Sequence, residues 1–337
     1  MMEEYEILRN TVREFSNKEI EAVSKDIEIN GIPRSLKEKI AAQGFLGATL
    51  PAEKGGSGLD EKGYMIILEE TAKASPSVSM WIFLTNLYLK IHPDASGKQD
   101  ILSGKIDVTV DLSPYYLRSK AQPLNVAGGK ISGRRANVIN GTASSIIVSD
   151  GSSIYAVGSG MHAVNKNHLG LRGMDLSDVD FDSSTYEKVG SEEKLRTELK
   201  NSDGEIAAIF LGVADGTMAK AADYSKVRTA FDHPLKDYTP IFDEIVAART
   251  QIELIRYYLY GNQGEYAKAL SKIKAKEIAL LATRSSLQIH GGYGYIHDFG
   301  IEKYYRDAMA LAVYFGDDSW ENGIISEVVI GERGGMI

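Results

Sequence analysis

The chain has 337 residues, 43% of them hydrophobic and 25% charged, which suits a globular protein with two or three domains. Its formal net charge of −8 argues against a nucleic-acid or anionic-membrane surface, because like charges repel. The absence of cysteine excludes disulfides, zinc–thiolate sites, iron–sulfur clusters and thiol nucleophiles, and it suits a reducing cytoplasm, where we expect the protein to reside.

The first stretch, residues 1–104, is predicted to form an N-terminal helical domain. Tyr5, Leu8, Val12 and Phe15 recur at the spacing of one helix face. The sequence "SLKE", residues 35–38, has the spacing of a capping box ahead of an apolar run. The acidic N-terminus has no apolar core of the kind a secretory signal needs, and no apolar run is long enough to span a membrane.

In the second stretch, residues 105–195, the hydrophobic pattern changes from helical spacing to the alternation that is typical of strands. The sequence "KIDVTVDL" alternates apolar and polar positions, as a half-buried strand does. Residues 128–160 then offer short β-branched runs separated by Gly, Asn and Ser. This pattern predicts a middle antiparallel β-domain, shaped as a barrel.

The third stretch, residues 196–337, returns to long helical patterns. Residues 239–260 form one candidate helix, with Pro240 near its first position. Residues 265–290 form another, which Gly291 and Gly292 are expected to end. Together the three stretches predict an α+β multidomain fold with a C-terminal helical bundle. The pattern contains no metal-ligand motif, so we predict no metal site.

Three motifs then resemble one family. "LQIHGGYGYIHDFGIEKYYRDA", residues 287–308, closely resembles the C-terminal signature of the acyl-CoA dehydrogenase family. "KVRTAFDHPL", residues 226–235, resembles its R-x-x-F-G-x-P-L element, with Asp232 in the glycine position. "GFLGATLPAEKGGSGLD", residues 44–60, resembles its N-terminal glycine-rich element. The motifs occur in the family's order, so the resemblance covers nearly the whole chain.

The resemblance implies an N-terminal helical domain, a β-barrel and a C-terminal four-helix bundle. It also implies FAD as cofactor, an acyl-CoA thioester as substrate, and electron-transferring flavoprotein as electron acceptor. In such enzymes a carboxylate removes the α-proton of the thioester while the β-hydrogen leaves as hydride to the flavin. Family members are homodimers or homotetramers, and their FAD lies at a subunit interface.

The same resemblance points to cofactor-binding residues. Arg228 would contact the pyrophosphate in a bidentate manner, Phe231 would offer an apolar face and Gln288 an amide. Gly291 and Gly292 would allow the cofactor a close approach. In family members these elements contact the FAD of the neighbouring subunit. Taken alone, a Gly-Gly pair after a helix is an ordinary C-cap, and a single arginine is usually a surface group.

Two middle-domain elements depart from the family pattern. The flavin-contact segment corresponds to residues 110–123, where only Pro114 matches and Ser113 offers a hydroxyl. In the next element Asn137 occupies the position of an aromatic residue, and Ile139 that of a threonine. The resemblance still places Ser113 and Ile139 beside the flavin.

The family's Y-E-G-T becomes residues 314–317, with Phe315 in the position of the catalytic glutamate. A phenyl ring cannot accept a proton. Asp317 replaces the threonine on the adenosine side of the cofactor, where an anion would repel a phosphate. Asp317 and Asp318 are also nearby carboxylates.

Some members carry the base at the start of a different helix. Counting back ten residues from Gly216 places that position at Ile206, so Glu205 is its neighbour and our candidate base. A first-turn glutamate also stabilises a helix dipole, which is the alternative explanation of Glu205.

Three functions follow from the resemblance. The first is a FAD-dependent acyl-CoA dehydrogenase-like oxidoreductase with a displaced base. The second is a flavin monooxygenase or oxidase of the same fold, which needs no base in that position. The third is a non-catalytic or half-site subunit that pairs with a catalytic paralogue, which would supply the base.

Overall fold

The structure, a computed structural model, describes residues 2–117 and 123–331. Its N-terminal part is helical, as the sequence predicts, and contains α1 (Met2–Phe15), α2 (Ser24–Asn30), α3 (Arg34–Ala42), α4 (Glu61–Ala74), α5 (Pro76–Ile91) and α6 (Lys98–Leu102). The predicted helix at residues 5–15 is therefore confirmed. The predicted capping box is wrong, because Ser35 lies inside α3, whose N-cap is Pro33. The cap that the structure does form is Asp60, which accepts the Gly63 N–H at 2.8 Å where α4 begins.

The middle part contains β1 (Val108–Val110), a short helix α7 (Ser113–Tyr116), β2 (Asn125–Ala127), β3 (Lys130–Ile139), β4 (Ser145–Ser149), β5 (Ser153–Val157), β6 (Met161–Asn165) and β7 (Leu176–Ser191). The strand order is β1-β4-β5-β7-β3-β2, and β6 pairs with β7. The long β7 links the two halves of the sheet, because its start pairs with β3 and β6 and its end with β5.

Three expectations for this sheet are corrected. It is mixed rather than antiparallel, since β1 pairs with β4 in parallel. It is also not a closed barrel, because β1 and β2 stand at opposite edges of the described sheet. Finally, β1 is buried on both faces rather than half-buried, since α5 packs against it and even Thr109 is inaccessible. Thr109 satisfies its hydroxyl by donating to the Ile139 carbonyl at 2.8 Å.

The C-terminal part contains α8 (Glu192–Asn201), α9 (Asp203–Val227), β8 (Thr229–Ala230), β9 (His233–Pro234), α10 (Thr239–Gly261), α11 (Glu265–His290), α12 (Gly292–Tyr295), α13 (Glu302–Phe315) and α14 (Ser319–Ile330). Helices α9, α10, α11 and α13 form the expected bundle. Gly291, with φ of +56°, ends α11 as predicted.

The N-terminal helices pack directly onto this bundle. Where α4 meets α9, a Cβ on Gly212 would lie 2.3 Å from the Glu69 carbonyl oxygen, and one on Gly216 would lie 2.5 Å from that of Lys73. Only glycine allows the two backbones to come so close. As a result, one hydrophobic core runs through both helical regions, and a second, smaller core lies within the sheet.

None of the helices in the described residues is long and apolar enough to cross a membrane. The boundaries drawn at residues 104/105 and 195/196 stay a prediction.

Candidate active site

An apolar slot of about 190 Å³ opens between the sheet and α13. The end of β3 contributes Ile139, one of the predicted cofactor residues, and α13 contributes Tyr314. The remaining walls are mostly aliphatic: Leu169, Gly170, Leu171, Leu176, Met309, Ala310 and Val313, with His168 and Asp175 at one side. The slot exists because one face of α13 packs on the bundle while the neighbouring face meets the sheet edge. Its lining suits a flat, apolar ring.

A groove of about 710 Å³ lies between α10, α11 and α13. Its lining includes Gln288, the second predicted cofactor residue, together with Arg284, Ser285 and Tyr305. Met309 lines both the slot and the groove, so the two cavities meet at this side chain. Met309 is therefore a wall that the two cavities share.

A polar cleft of about 760 Å³ adjoins the other side of the slot, where His168 and Asp175 line both spaces. Its two lysines are each paired with a carboxylate, Lys37 with Asp107 and Lys166 with Asp178, both at 2.5 Å. The side-chain nitrogen of Asn140 is buried and has no hydrogen-bond partner among the described residues. A buried amide of this kind is an available donor for a ligand acceptor.

Arg228 and Phe231 lie on an exposed hairpin formed by β8 and β9. The two turn residues, Phe231 and Asp232, both have positive φ, and the Phe231 side chain is 91% exposed. The Arg228 guanidinium lies 5.8 Å from the centre of the Tyr293 ring, so the hairpin meets the short helix α12 that follows α11. We call this surface the hairpin patch: residues 227–234 with residues 291–299.

Gly291 and Gly292 belong to the same patch. No atom lies within 4 Å of where their Cβ atoms would be, so at these two glycines the patch faces open space. The structure thus brings Arg228, Phe231 and the two glycines together, and it places Gln288 next to them at the end of α11.

The base position is closed by aromatic side chains. Phe315 is fully buried at the end of α13, and its ring makes edge-to-face contacts with Phe83 on α5 and Tyr116 on α7. The centroid distances are 6.2 Å and 5.0 Å. Trp320 of α14 contacts Tyr116 from another side at 5.7 Å. These four residues form an aromatic block. The Tyr314 hydroxyl also donates to the Asn137 carbonyl, which ties α13 to β3.

Ser113 and Asp317 are engaged within the chain. The Ser113 hydroxyl donates to Asp111 Oδ1 at 2.6 Å, and its backbone N–H donates to the same atom at 3.1 Å. Asp317 accepts the Ser319 N–H at 3.1 Å at the start of α14. Residues 118–122 of the predicted flavin-contact segment lie outside the described residues. The structure therefore groups neither Ser113 nor Asp317 with the slot lining.

Glu205, the candidate base, lies in the first turn of α9 and is 2% exposed. Its carboxylate forms a salt bridge with Lys90 of α5. Glu205 lines neither the slot nor the groove.

A buried charge cluster lies behind the aromatic block, and the sequence patterns did not reveal it. Lys272 of α11 is inaccessible and pairs with Asp203 at 3.0 Å and with Glu321. Its ammonium also lies 5.0 Å from the centre of the Tyr116 ring. Burial raises the pKa of Asp203 despite the attraction of Lys272. One feature of the sequence does indicate that Lys272 is buried: at helical spacing it shares a face of α11 with the small apolar residues Ala275 and Ala279.

A flavin is the cofactor that these residues would have to hold. The slot accepts a flat apolar ring, the groove presents Gln288 and Arg284, and Asn140 offers a spare donor in the adjoining polar cleft. These features fit FAD. The base position holds the ring of Phe315 and no carboxylate.

Comparison with known proteins extends this picture. Residues 2–99 match the family model "Acyl-CoA dehydrogenase, N-terminal domain", and residues 195–330 match "Acyl-CoA dehydrogenase, C-terminal domain". A 3-(aryl)acrylate reductase of Clostridium sporogenes is 25% identical over 96% of this chain and 98% of its own length. The caffeyl-CoA reductase-Etf complex subunit CarC of Acetobacterium woodii is 26% identical over 97% and 98%.

Solved structures share the fold. A glutaryl-CoA dehydrogenase of Mycobacterium smegmatis, solved in complex with FADH2, superimposes with a TM-score of 0.85. The superposition covers 99% of this chain and 96% of that one, at 15% identity. At that identity the likeness speaks for the fold alone.

Proposed function

Because the chain belongs to the acyl-CoA dehydrogenase family, we propose that it is a flavin-dependent acyl-CoA oxidoreductase. The observation that carries the proposal is the apolar slot between the sheet and α13, since its lining suits a flat ring. An acyl-CoA thioester is the proposed substrate. We also propose electron-transferring flavoprotein as the redox partner, with support from the name of the Acetobacterium relative.

Each part of the site has a proposed role toward FAD. Ile139 and Tyr314 would flank the ring in this chain's own slot, and Gln288 would contact the nucleotide end of the FAD of a neighbouring copy. The bound flavin would supply the hydride chemistry. The chain's own residues would exclude water from the ring, because the slot walls are aliphatic.

The proton has no acceptor in the position where the family carries one. Phe315 is a hydrocarbon side chain, and the buried carboxylates near the aromatic block are each bound to a lysine. General base catalysis commonly contributes roughly 10²–10⁴-fold. We therefore expect slow proton exchange at the substrate in the isolated chain.

This closure favours a second candidate: a half-site subunit that pairs with a catalytic paralogue. The hairpin patch is exposed, while the chain's own base position is filled. In this arrangement Arg228, Phe231 and Gln288 would contact the FAD held by the paralogue, which would provide the base. None of the described contacts favours the monooxygenase or oxidase alternative.

Flavin retention tests the first candidate. The purified chain would be mixed with FAD and desalted, and the flavin per chain measured by visible absorbance. We expect retained flavin, and loss of it in Ala310→Trp, which fills the slot. Val328→Trp, on the exposed end of α14, is the control and should retain flavin. An acyl-CoA would then be added without oxygen, and bleaching would show electron transfer to the flavin.

Co-expression tests the second candidate. With a relative that keeps the glutamate, we expect a complex that retains flavin even though this chain alone does not. Arg228→Ala should lower that retention, whereas Lys226→Ala should not, because Lys226 is exposed and forms a surface pair with Asp223. If neither the chain nor the complex keeps flavin, both candidates are wrong.

We propose a cytoplasmic location on the strength of the cysteine-free composition. We also propose a homo-oligomer for the first candidate and a hetero-oligomer for the second.

A further inference from the structure

Helix α14 (Ser319–Ile330) is held on the bundle by very few buried groups. Among its residues only Glu321 is fully buried. The far end of the helix barely packs, since Val328 is 64% exposed and Ile330 71%. A helix of this length is marginal by itself, so its contacts with the bundle must hold it in place.

Glu321 belongs to the buried charge cluster, which it forms with Lys272 of α11 and Asp203 of α9. Lys272 pairs with Asp203 at 3.0 Å and also with Glu321, and none of the three side chains is more than 2% exposed. One ammonium therefore serves two carboxylates in a space that water does not reach. With both carboxylates ionised, the cluster would carry a net negative charge, which is costly to bury.

A proton on one carboxylate removes that net charge. Burial, and after it the charge of Glu321, raises the pKa of Asp203 to about 7, against the attraction of Lys272. When α14 moves away, Asp203 loses its acidic neighbour and regains water, so its pKa returns toward the ordinary value of 3.8. Between these two pH values the closed arrangement therefore binds one proton more than the open one.

The other charged and titratable groups around the cluster are already engaged. Glu205 of α9 forms a salt bridge with Lys90 of α5. Burial raises the pKa of the Tyr116 hydroxyl of α7, so this group stays neutral. At the outer edge of α14, Lys276 of α11 pairs with Asp318 at 2.6 Å. Protonation of Asp203 is therefore the step that couples the position of α14 to pH.

We propose that α14 is a lid over the aromatic block, that the buried charge cluster holds it shut, and that it opens as the pH rises. Residues 316–318 connect it to α13 and act as the hinge. Trp320 on the lid contacts the ring of Tyr116, which in turn contacts Phe315. Lifting α14 uncovers Tyr116 and with it one side of the base position. The movement needs neither flavin nor acyl-CoA, so its test is independent of the proposed function.

Hydrogen–deuterium exchange of the full chain, read by mass spectrometry on peptides, tests the lid. Protection of residues 319–330 is measured relative to the intrinsic exchange rate at each pH. We expect it to fall about ten-fold per pH unit between pH 5 and pH 7, because opening releases one proton, and to level off above about pH 8. Helix α4, in the core of the same molecule, is the internal reference and should keep its protection.

Three variants separate the proton from simple packing. Asp203→Asn removes the ionisable group and keeps a donor for Glu321, so the protection of α14 should become independent of pH. Glu321→Gln leaves a single ion pair and should do the same, which provides a second test if one variant fails to fold. Asp318→Asn breaks the outer pair with Lys276 and is the matched control, which should lower the protection at every pH and keep its slope.

Two results would overturn the proposal. The first is a protection of α14 that does not change with pH, or that keeps its slope in Asp203→Asn and Glu321→Gln. The second is a parallel loss of protection in α4, because the whole helical core would then unfold and no lid would open.

Discussion

Replacement of Phe315 tests whether the aromatic block holds the fold together. Phe315→Ala removes a fully buried ring that touches Phe83 and Tyr116. Phenylalanine-to-alanine changes in a core cost about 3–5 kcal/mol, because burial is lost and a cavity remains. Each lost edge-to-face contact accounts for about 0.5–1.5 kcal/mol of that sum. Since whole proteins are stable by only about 5–15 kcal/mol, the loss should be large.

Urea unfolding followed by tryptophan fluorescence measures this effect, since Trp320 belongs to the same block. With a slope of about 3 kcal/mol per molar urea, the midpoint should fall by about 1–1.7 M. Phe231→Ala is the control, because that ring is 91% exposed and its removal should change stability by less than about 0.5 kcal/mol. A Phe315→Ala midpoint within 0.3 M, on the order of 1 kcal/mol, of the wild type would refute the idea that Phe315 packs as a core residue.

Two further predictions concern buried charges. Lys272→Met leaves two buried carboxylates without their cation, so it should destabilise the protein by about 3–5 kcal/mol, measured by thermal unfolding. Lys274→Met is the control: Lys274 lies two residues further along on the exposed side, so its loss should cost less than about 1 kcal/mol. Burial alone would raise the pKa of Glu69, but the arginines around its carboxylate lower that pKa to about 2. The ionised Glu69 therefore contributes its full stabilisation of the folded protein above pH 4.5, and this contribution disappears as the pH falls toward 2. That contribution is about 3 kcal/mol, so Glu69→Gln should flatten the decline of the urea midpoint between pH 5 and pH 3, whereas Glu277→Gln, in an exposed pair, should leave the decline as it is.

The sequence predicted the helical elements well, because their signals are local. The apolar spacing of α1 and the glycine after α11 depend only on near neighbours, and both predictions are confirmed. The family motifs carried the arrangement of the whole fold. The barrel prediction was wrong because closure depends on which strands meet at the edges, and alternation along one strand does not report that.

The sequence was less informative about the site. Lys272 lies in a lysine-rich stretch of α11, and its charge is buried by Asp203 of α9 and Glu321 of α14, which are far away in the chain. Likewise, the sequence shows that Phe315 lacks a carboxylate, but not that Tyr116 and Phe83 enclose it. Both facts depend on contacts between residues far apart in the chain.

Phe315 and Phe231, which both occupy positions of family motifs, require different explanations. Phe315 is accounted for by the chain itself, since its ring fills space between α5 and α7. Phe231 is not, because a 91% exposed ring on a turn with positive φ gains little packing within the chain and costs about 1–2 kcal/mol in backbone conformation. A residue held at such a cost is best explained by a contact outside the chain. That asymmetry is why we expect the hairpin patch to act on a bound partner or cofactor even if the aromatic block prevents catalysis in this chain's own slot.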